Sequence, residues 1–205
     1  DAVGIVFKME AIGSDVPANY PVALQGKTIA GYAVAIENVA TGRQTLNTEL
    51  LTALTETVAG MTNGTQTTGV LLTGLGDVAF KTTYEKWVGE HASASENLSA
   101  WYIPTLSQLS AFMGTLFTMK DVPATGSEDF KNIPEFEFVN GKMFDRTPIN
   151  TVNYASSTIN NQNNVSGVRI NVTDGAVTNA QEAGISVKAA LNQQALCRPM
   201  ITIFK

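Results

Sequence analysis

The sequence predicts an α+β domain, and three observations carry that reading. Apolar runs of strand character open and close the chain, at residues 2–7 and 200–204. Segments with helical spacing near residues 78–90 and 105–117 occupy its middle. The last third is mostly short apolar or alternating runs separated by turn residues. Helices and strands are segregated along the chain instead of alternating, which points away from a doubly wound α/β sheet. No internal repeat is present. The 205 residues are read as a single domain, 1–205, with elaborations around 40–70 and 120–150.

The elements follow in order. Residues 2–7 read as a strand, and Gly13, Asp15, Pro17, Asn19 and Pro21 mark the loop behind it. Residues 29–36 read as a second strand, with Tyr32, Val34 and Ile36 alternating with small residues. Asn47 or Thr48 can cap a helix to about Val58, with Leu50, Leu54, Val58 and Met61 on one stripe. Residues 62–68 read as a polar connector, and Val70-Leu71-Leu72 is too short to assign. Asp77 is the expected cap of a helix carrying Phe80, Tyr84, Trp87 and Val88. Thr105-Leu106-Ser107-Gln108 is a capping box, and Leu106, Leu109, Phe112, Met113 and Leu116 share one face of the helix it starts. Residues 121–134 read as a loop, and 136–144 as a hairpin turning on Asn140-Gly141. Residues 154–158, 167–172 and 200–204 are further strands, with Asp174-Gly175 a tight turn. The expected core includes Trp87, Tyr102, Leu106, Leu109, Phe112, Ile170 and Met200.

Composition narrows the function. Apolar residues make up 44% and charged residues 15%, so there is ample material for a core and disorder is excluded. A net charge of −5 with no Lys/Arg cluster lacks the footprint of a nucleic-acid binder. No apolar run approaches the roughly 20 residues of a membrane-spanning helix. One cysteine, Cys197, cannot form an internal disulfide, and one histidine, His91, rules out a site built on two imidazoles.

Gly74-Leu75-Gly76-Asp77-Val78-Ala79 matches a dinucleotide fingerprint, in which glycines admit a pyrophosphate to a helix N-terminus. No β-α-β unit surrounds it, and a glycine-rich turn into a capped helix is the preferred reading. Gly26-Lys27-Thr28 lacks the earlier glycine of a phosphate loop. His91 ends a helix, where a cation suits the dipole. The carboxylates show no spacing that gathers a metal site. Asn160, Asn161, Gln162, Asn163 and Asn164 are five consecutive primary amides, each both donor and acceptor, which suits a hydroxyl-rich ligand or a solvated loop.

Several segments resemble one family. Ala100-Trp101-Tyr102-Ile103-Pro104-Thr105-Leu106-Ser107-Gln108-Leu109 resembles the W-Y-L-P-(S/T)-x-x-(E/Q)-L segment of the DUF1566, or Lcl C-terminal-like, family. Tyr154-Ala155-Ser156-Ser157-Thr158 resembles its Y-W-S-S-(T/S) strand, with Ala155 replacing the usual Trp, and Ala195-Leu196-Cys197-Arg198-Pro199-Met200 resembles its closing strand. Residues 2–7 and 31–35 look like its first two strands, so the anchors span nearly the whole chain in order. The resemblance implies a C-type-lectin-like fold with terminal strands paired and two main helices. It also implies an exported or surface-anchored bacterial binding module, often an adhesin, with many examples in gut Bacteroides-type organisms and a lipoprotein-type anchor upstream. The enzymatic relatives use two cysteines, and the calcium-dependent lectins use E-P-N or Q-P-D with W-N-D, none of which occurs here.

The expected function is therefore a non-enzymatic, cell-surface binding module with no cofactor and no metal. Its ligand is expected to be a glycan or a protein, and its oligomeric state is open. The expected contacts lie on C-terminal loops, at Asn160 to Asn164 and at Asn179, Gln181 and Glu182, with Tyr154 or Trp87 in reach as a sugar platform. A structural pilus or surface-layer subunit is the alternative. A nucleotide-using enzyme built on Gly74 to Ala79 is the more remote one.

Overall fold

The computed structural model describes residues 4–40, 44–46, 61, 63–75, 78–93, 95–119, 151–161, 164–173, 176–186 and 194–205. The expected helix at 47–58, the loop at 121–134, the hairpin at 136–144 and the turn residues Asp174 and Gly175 lie outside them. The described chain is mixed α and β with small antiparallel sheets.

The first two apolar runs form strands as expected, and β1 (Gly4–Lys8) and β2 (Ile29–Ala35) pair antiparallel. Chain-terminal strand β8 (Met200–Phe204) pairs with the other side of β2. The two ends of the chain therefore share one sheet, in the order β1-β2-β8, but they meet through β2 and not directly. Ile5 sits opposite Val34, and Ile201 opposite the adjoining Ala33. A bulge between Val6 and Lys8 drops Phe7 into the core, edge-on to Phe112 with ring centroids 5.3 Å apart. Gly31 permits that approach, because a Cβ there would occupy the space of the Lys8 carbonyl oxygen. The outer edge of β8 is covered by residues 97–102, with Ser99 N donating to Thr202 O and Tyr102 exchanging both backbone bonds with Met200.

Between β2 and the C-terminal strands come a two-residue strand β3 (Gln44–Thr45) and the longer helices. A single-turn helix α1 (Val22–Gln25) follows the first loop. Helix α2 (Gly64–Leu75) corrects the expected polar connector at 62–68. Its buried side carries Thr67 and Thr68 as well as Leu71 and Leu75, so hydrophobic spacing does not reveal it. The hydroxyls are satisfied: Thr68 Oγ1 accepts from Ile103 N at 2.9 Å, and Thr67 Oγ1 bonds Asn63 O and Ser157 Oγ. Helix α3 (Ala79–Glu90) buries Phe80, Tyr84 and Trp87 as their spacing predicts. It starts one residue after Val78, which caps it without a side-chain hydrogen bond, whereas the expected cap Asp77 lies outside the described residues. Helix α4 (Leu106–Met119) begins at the predicted capping box, with Thr105 N donating to Gln108 Oε1 at 3.0 Å and Gln108 N to Thr105 Oγ1 at 3.3 Å.

The second sheet is a meander of β4 (Thr151–Asn161), β5 (Asn164–Thr173) and β6 (Ala176–Ser186). Strand β7 (Gln194–Ala195) pairs with β3, and the residue after it, Leu196, bridges to Tyr154 on the outer edge of β4. Both faces of the meander are covered at the Tyr154–Ile159 end. Tyr154 and Val168 pack with Leu109, Phe112 and Met113 of α4, while Ala155, Ile159, Val165 and Ile185 pack with Leu71, Leu75, Phe80 and Tyr84 of α2 and α3. Of the expected core, Trp87, Tyr102, Leu109, Phe112 and Met200 are buried, and Leu106 packs half-buried against the first cluster. Ile170 lies in β5 opposite Val152.

Candidate functional site

The amide run falls at a hairpin tip. Asn160 and Asn161 end β4, Asn164 begins β5, and Asn161 pairs with Asn164 across the sheet. Asn160 is exposed and Asn164 half-buried, while Gln162 and Asn163 lie outside the described residues. The tip projects beyond Ile159 and Val165, which are 5% and 0% exposed and root the hairpin in the core.

Asn179, Gln181 and Glu182 are not on a loop. They belong to β6, where Asn179 is opposite Asn171, Gln181 opposite Arg169 and Glu182 opposite Val168. Asn164 lies opposite Ser186, so the partner of Asn179 is seven residues further along β5, about 23 Å at roughly 3.3 Å per residue. The two expected contact stretches therefore do not form one patch. Pairing with β5 makes this segment a strand, although its residues, in the order Ala-Val-Thr-Asn-Ala-Gln-Glu-Ala-Gly, show no strict alternation to announce one. Nor do the aromatics reach a ligand, since Tyr154 and Trp87 are both buried in clusters of the core.

The chemically reactive side chains are committed elsewhere. Asp15, read from sequence as a loop marker, is buried and accepts three bonds: from Tyr20 Oη and Tyr32 Oη on Oδ2, at 2.5 and 2.7 Å, and from Asn63 Nδ2 on Oδ1 at 2.9 Å. Because Tyr20 spends its proton on Asp15, it must accept from Thr202 Oγ1 at 2.8 Å. Thr202 in turn accepts from Tyr102 Oη at 2.8 Å, and Tyr102 accepts from Gln108 Nε2 at 3.2 Å. One carboxylate thus fixes the polarity of a chain of hydrogen bonds running from the first loop through β8 to α4. Burial, with the neighbouring Asp15 and Tyr102, pushes the Tyr20 hydroxyl far above its ordinary range, and burial raises Tyr32, Tyr84 and Tyr102 in the same direction.

Cys197 is buried, and loss of solvent pushes its thiol up, which suppresses the thiolate a nucleophile needs. Arg198 is 1% exposed, donates through Nη1 to Ala35 O at 3.1 Å and bonds the Tyr154 side chain; burial lowers its pKa. His91 caps α3 as expected. Its Nδ1 meets Trp87 O at 2.8 Å, its ring stacks on the Trp87 indole at 4.2 Å, and its carbonyl accepts from Trp101 Nε1. Glu37 lies 4.0 Å from Nε2.

Gly74 and Leu75 form the buried last turn of α2, so a helix and not a strand leads into the dinucleotide-like motif, and the context that gives those glycines their meaning is missing. Among the described residues, no three His, Cys, Asp or Glu side chains gather as a metal site, and no helix is long and apolar enough to cross a membrane. Comparison with protein-family models, with curated proteins and with solved structures finds no match to this chain.

Proposed function

We propose that this chain is a non-enzymatic binding module of an exported, surface-tethered bacterial protein, built on a C-type-lectin-like scaffold and taking a glycan or protein ligand without metal. The observation that carries the reading is that Asn160, Asn161 and Asn164 fall where β4 ends and β5 begins, beyond a pair of strands whose root is buried on both faces. Rigid strands with polar tips are how scaffold and contact surface are commonly divided. The commitment of Asp15 and Cys197 to the interior supports binding over catalysis, because a reacting group must be within reach of a substrate. The resemblance of the Trp101–Leu109 and Tyr154–Thr158 segments to DUF1566 domains supports the scaffold and the location.

Neutral hydrogen bonds contribute only about 1 kcal/mol each, so a single module should hold a glycan at around millimolar Kd and depend on multivalent display. The test is a glycan array probed with multimerised protein, with and without EDTA, beside an Asn160→Ala/Asn163→Ala variant. Signal that survives EDTA and falls at least tenfold in the variant is expected. Abolition by EDTA would end the metal-free reading, and an unchanged variant would move the site off the tip.

A further inference from the structure

The β4-β5-β6 meander has a second polar region, at the far end from the amide tip. Alternation along each strand places Val165, Ile185, Ala155 and Ile159 on one face, and all four are buried in the cluster against α2 and α3. Continuing along that same face, the register brings Asn153, Arg169 and Gln181 into one rung and Thr151, Asn171 and Asn179 into the next. Neighbouring positions in a rung lie about 5 Å apart, so along this face the register passes from apolar positions to polar ones, with Arg169 and Asn153 side by side.

Arg169 is the unusual member. The chain is net acidic, yet Arg169 has no ion-pair partner among the described residues. Its side chain is half-buried, and its Nε donates to Asn153 Oδ1 at 3.2 Å. That bond orients the planar fork, and an oriented guanidinium suits the paired oxygens of a carboxylate or sulfate better than a point charge does. Amides within one rung's distance are suited to sugar hydroxyls.

We propose that Arg169, positioned by Asn153, binds the anionic group of an acidic glycan on this sheet face. The proposal rests on the binding-module reading and gives it a ligand class and a second contact area. Gln181 is opposite Arg169, five residues along β5 from Asn164, and Asn179 is two residues further along the same face. Glu182, next to Gln181, falls on the opposite face of the strand.

The experiment uses multimerised protein over immobilised polygalacturonate and its carboxyl-reduced form, and over dextran sulfate and plain dextran. Binding to at least one acidic polymer, at least tenfold tighter than to its neutral counterpart and weakening with salt, is expected. Which acidic polymer is retained decides between carboxylate and sulfate. Arg169→Gln should lose at least tenfold, Arg169→Lys should recover part of that loss, and Asn153→Ala should weaken binding with the charge intact. Thermal melts of all three variants separate these effects from misfolding. Equal binding of acidic and neutral polymers, no binding of any acidic polymer, or an unaffected Arg169→Gln would overturn the proposal. Array binding that still depends on the Asn160–Asn164 tip would then leave the broader reading standing.

Discussion

The backbone amide of Gly64 donates to the side-chain oxygen of Gln108 at 3.0 Å, so the capping box that starts α4 also satisfies the first turn of α2. The same oxygen accepts from Thr105 N, and the Gln108 amide nitrogen donates to Tyr102 Oη. Gln108 is 0% exposed. A single side chain therefore joins two helix starts to the hydrogen-bond chain that ends at Asp15.

Replacing Gln108 by Ala should cost about 2–6 kcal/mol, because two buried backbone donors lose their acceptor and each unmet donor costs about 1–3 kcal/mol. Urea unfolding followed by circular dichroism measures it. A loss under about 1 kcal/mol would mean that solvent replaces the amide.

Two glycines of α2 should respond to alanine with opposite signs. At Gly64 a Cβ would collide with the Tyr102 ring and the Ile103 carbonyl, both fixed in the core, so Gly64→Ala should destabilise by about 2 kcal/mol or more. At Gly69 a Cβ meets nothing within 4 Å on an exposed face, so Gly69→Ala should stabilise by about 0.5–1 kcal/mol through reduced freedom of the unfolded chain. Paired denaturation curves decide, and effects of the same sign would contradict the packing described at Gly64.

What could be read in advance follows from which interactions are local. The β1, β2 and β8 runs, the spacing of Phe80, Tyr84 and Trp87, and the Thr105–Gln108 box all lie within a few residues of themselves, and each element appears where they point. Helix α2 escaped because its inward face is half threonine, satisfied by Ile103 and Ser157 far along the chain. Strand β6 escaped because its pairing with β5, and not its own pattern, makes it a strand. At the candidate site the amide run was visible as composition. The rung that joins Arg169 to Asn153 and Gln181 is a product of register, which no local pattern states.

Asp15 should matter more than its loop position suggests. Asp15→Ala would strand Tyr20, Tyr32 and Asn63 together and should cost about 3–5 kcal/mol, the range for breaking a buried charged network. Tyr20→Phe removes two bonds, the one to Asp15 and the one from Thr202, but leaves the carboxylate two donors, so its loss should be smaller, about 1–3 kcal/mol. A double-mutant cycle over Asp15 and Tyr20 should return a coupling above about 0.5 kcal/mol. Simple additivity would show that the two do not act as a unit.

The raised hydroxyls and thiol make stability fall at alkaline pH. Tyr20, Tyr32, Tyr84, Tyr102 and Cys197 are all held protonated by burial in the native state, above their ordinary values of 10.0 for tyrosine and 9.0 for cysteine. Above those values the unfolded chain releases protons that the folded chain retains. The unfolded state then binds fewer protons, and stability declines as pH rises. The decline should begin near pH 9 and steepen through pH 10, each group adding about 1.4 kcal/mol per pH unit once its unfolded form is fully ionised. Tyrosinate absorbance should therefore stay low until the circular dichroism signal collapses, and the two transitions should coincide. Cys197 should react with a thiol reagent only after that collapse. Gradual ionisation of four or more tyrosines around pH 10, with the helical signal intact, would show that the hydroxyl network is open to water.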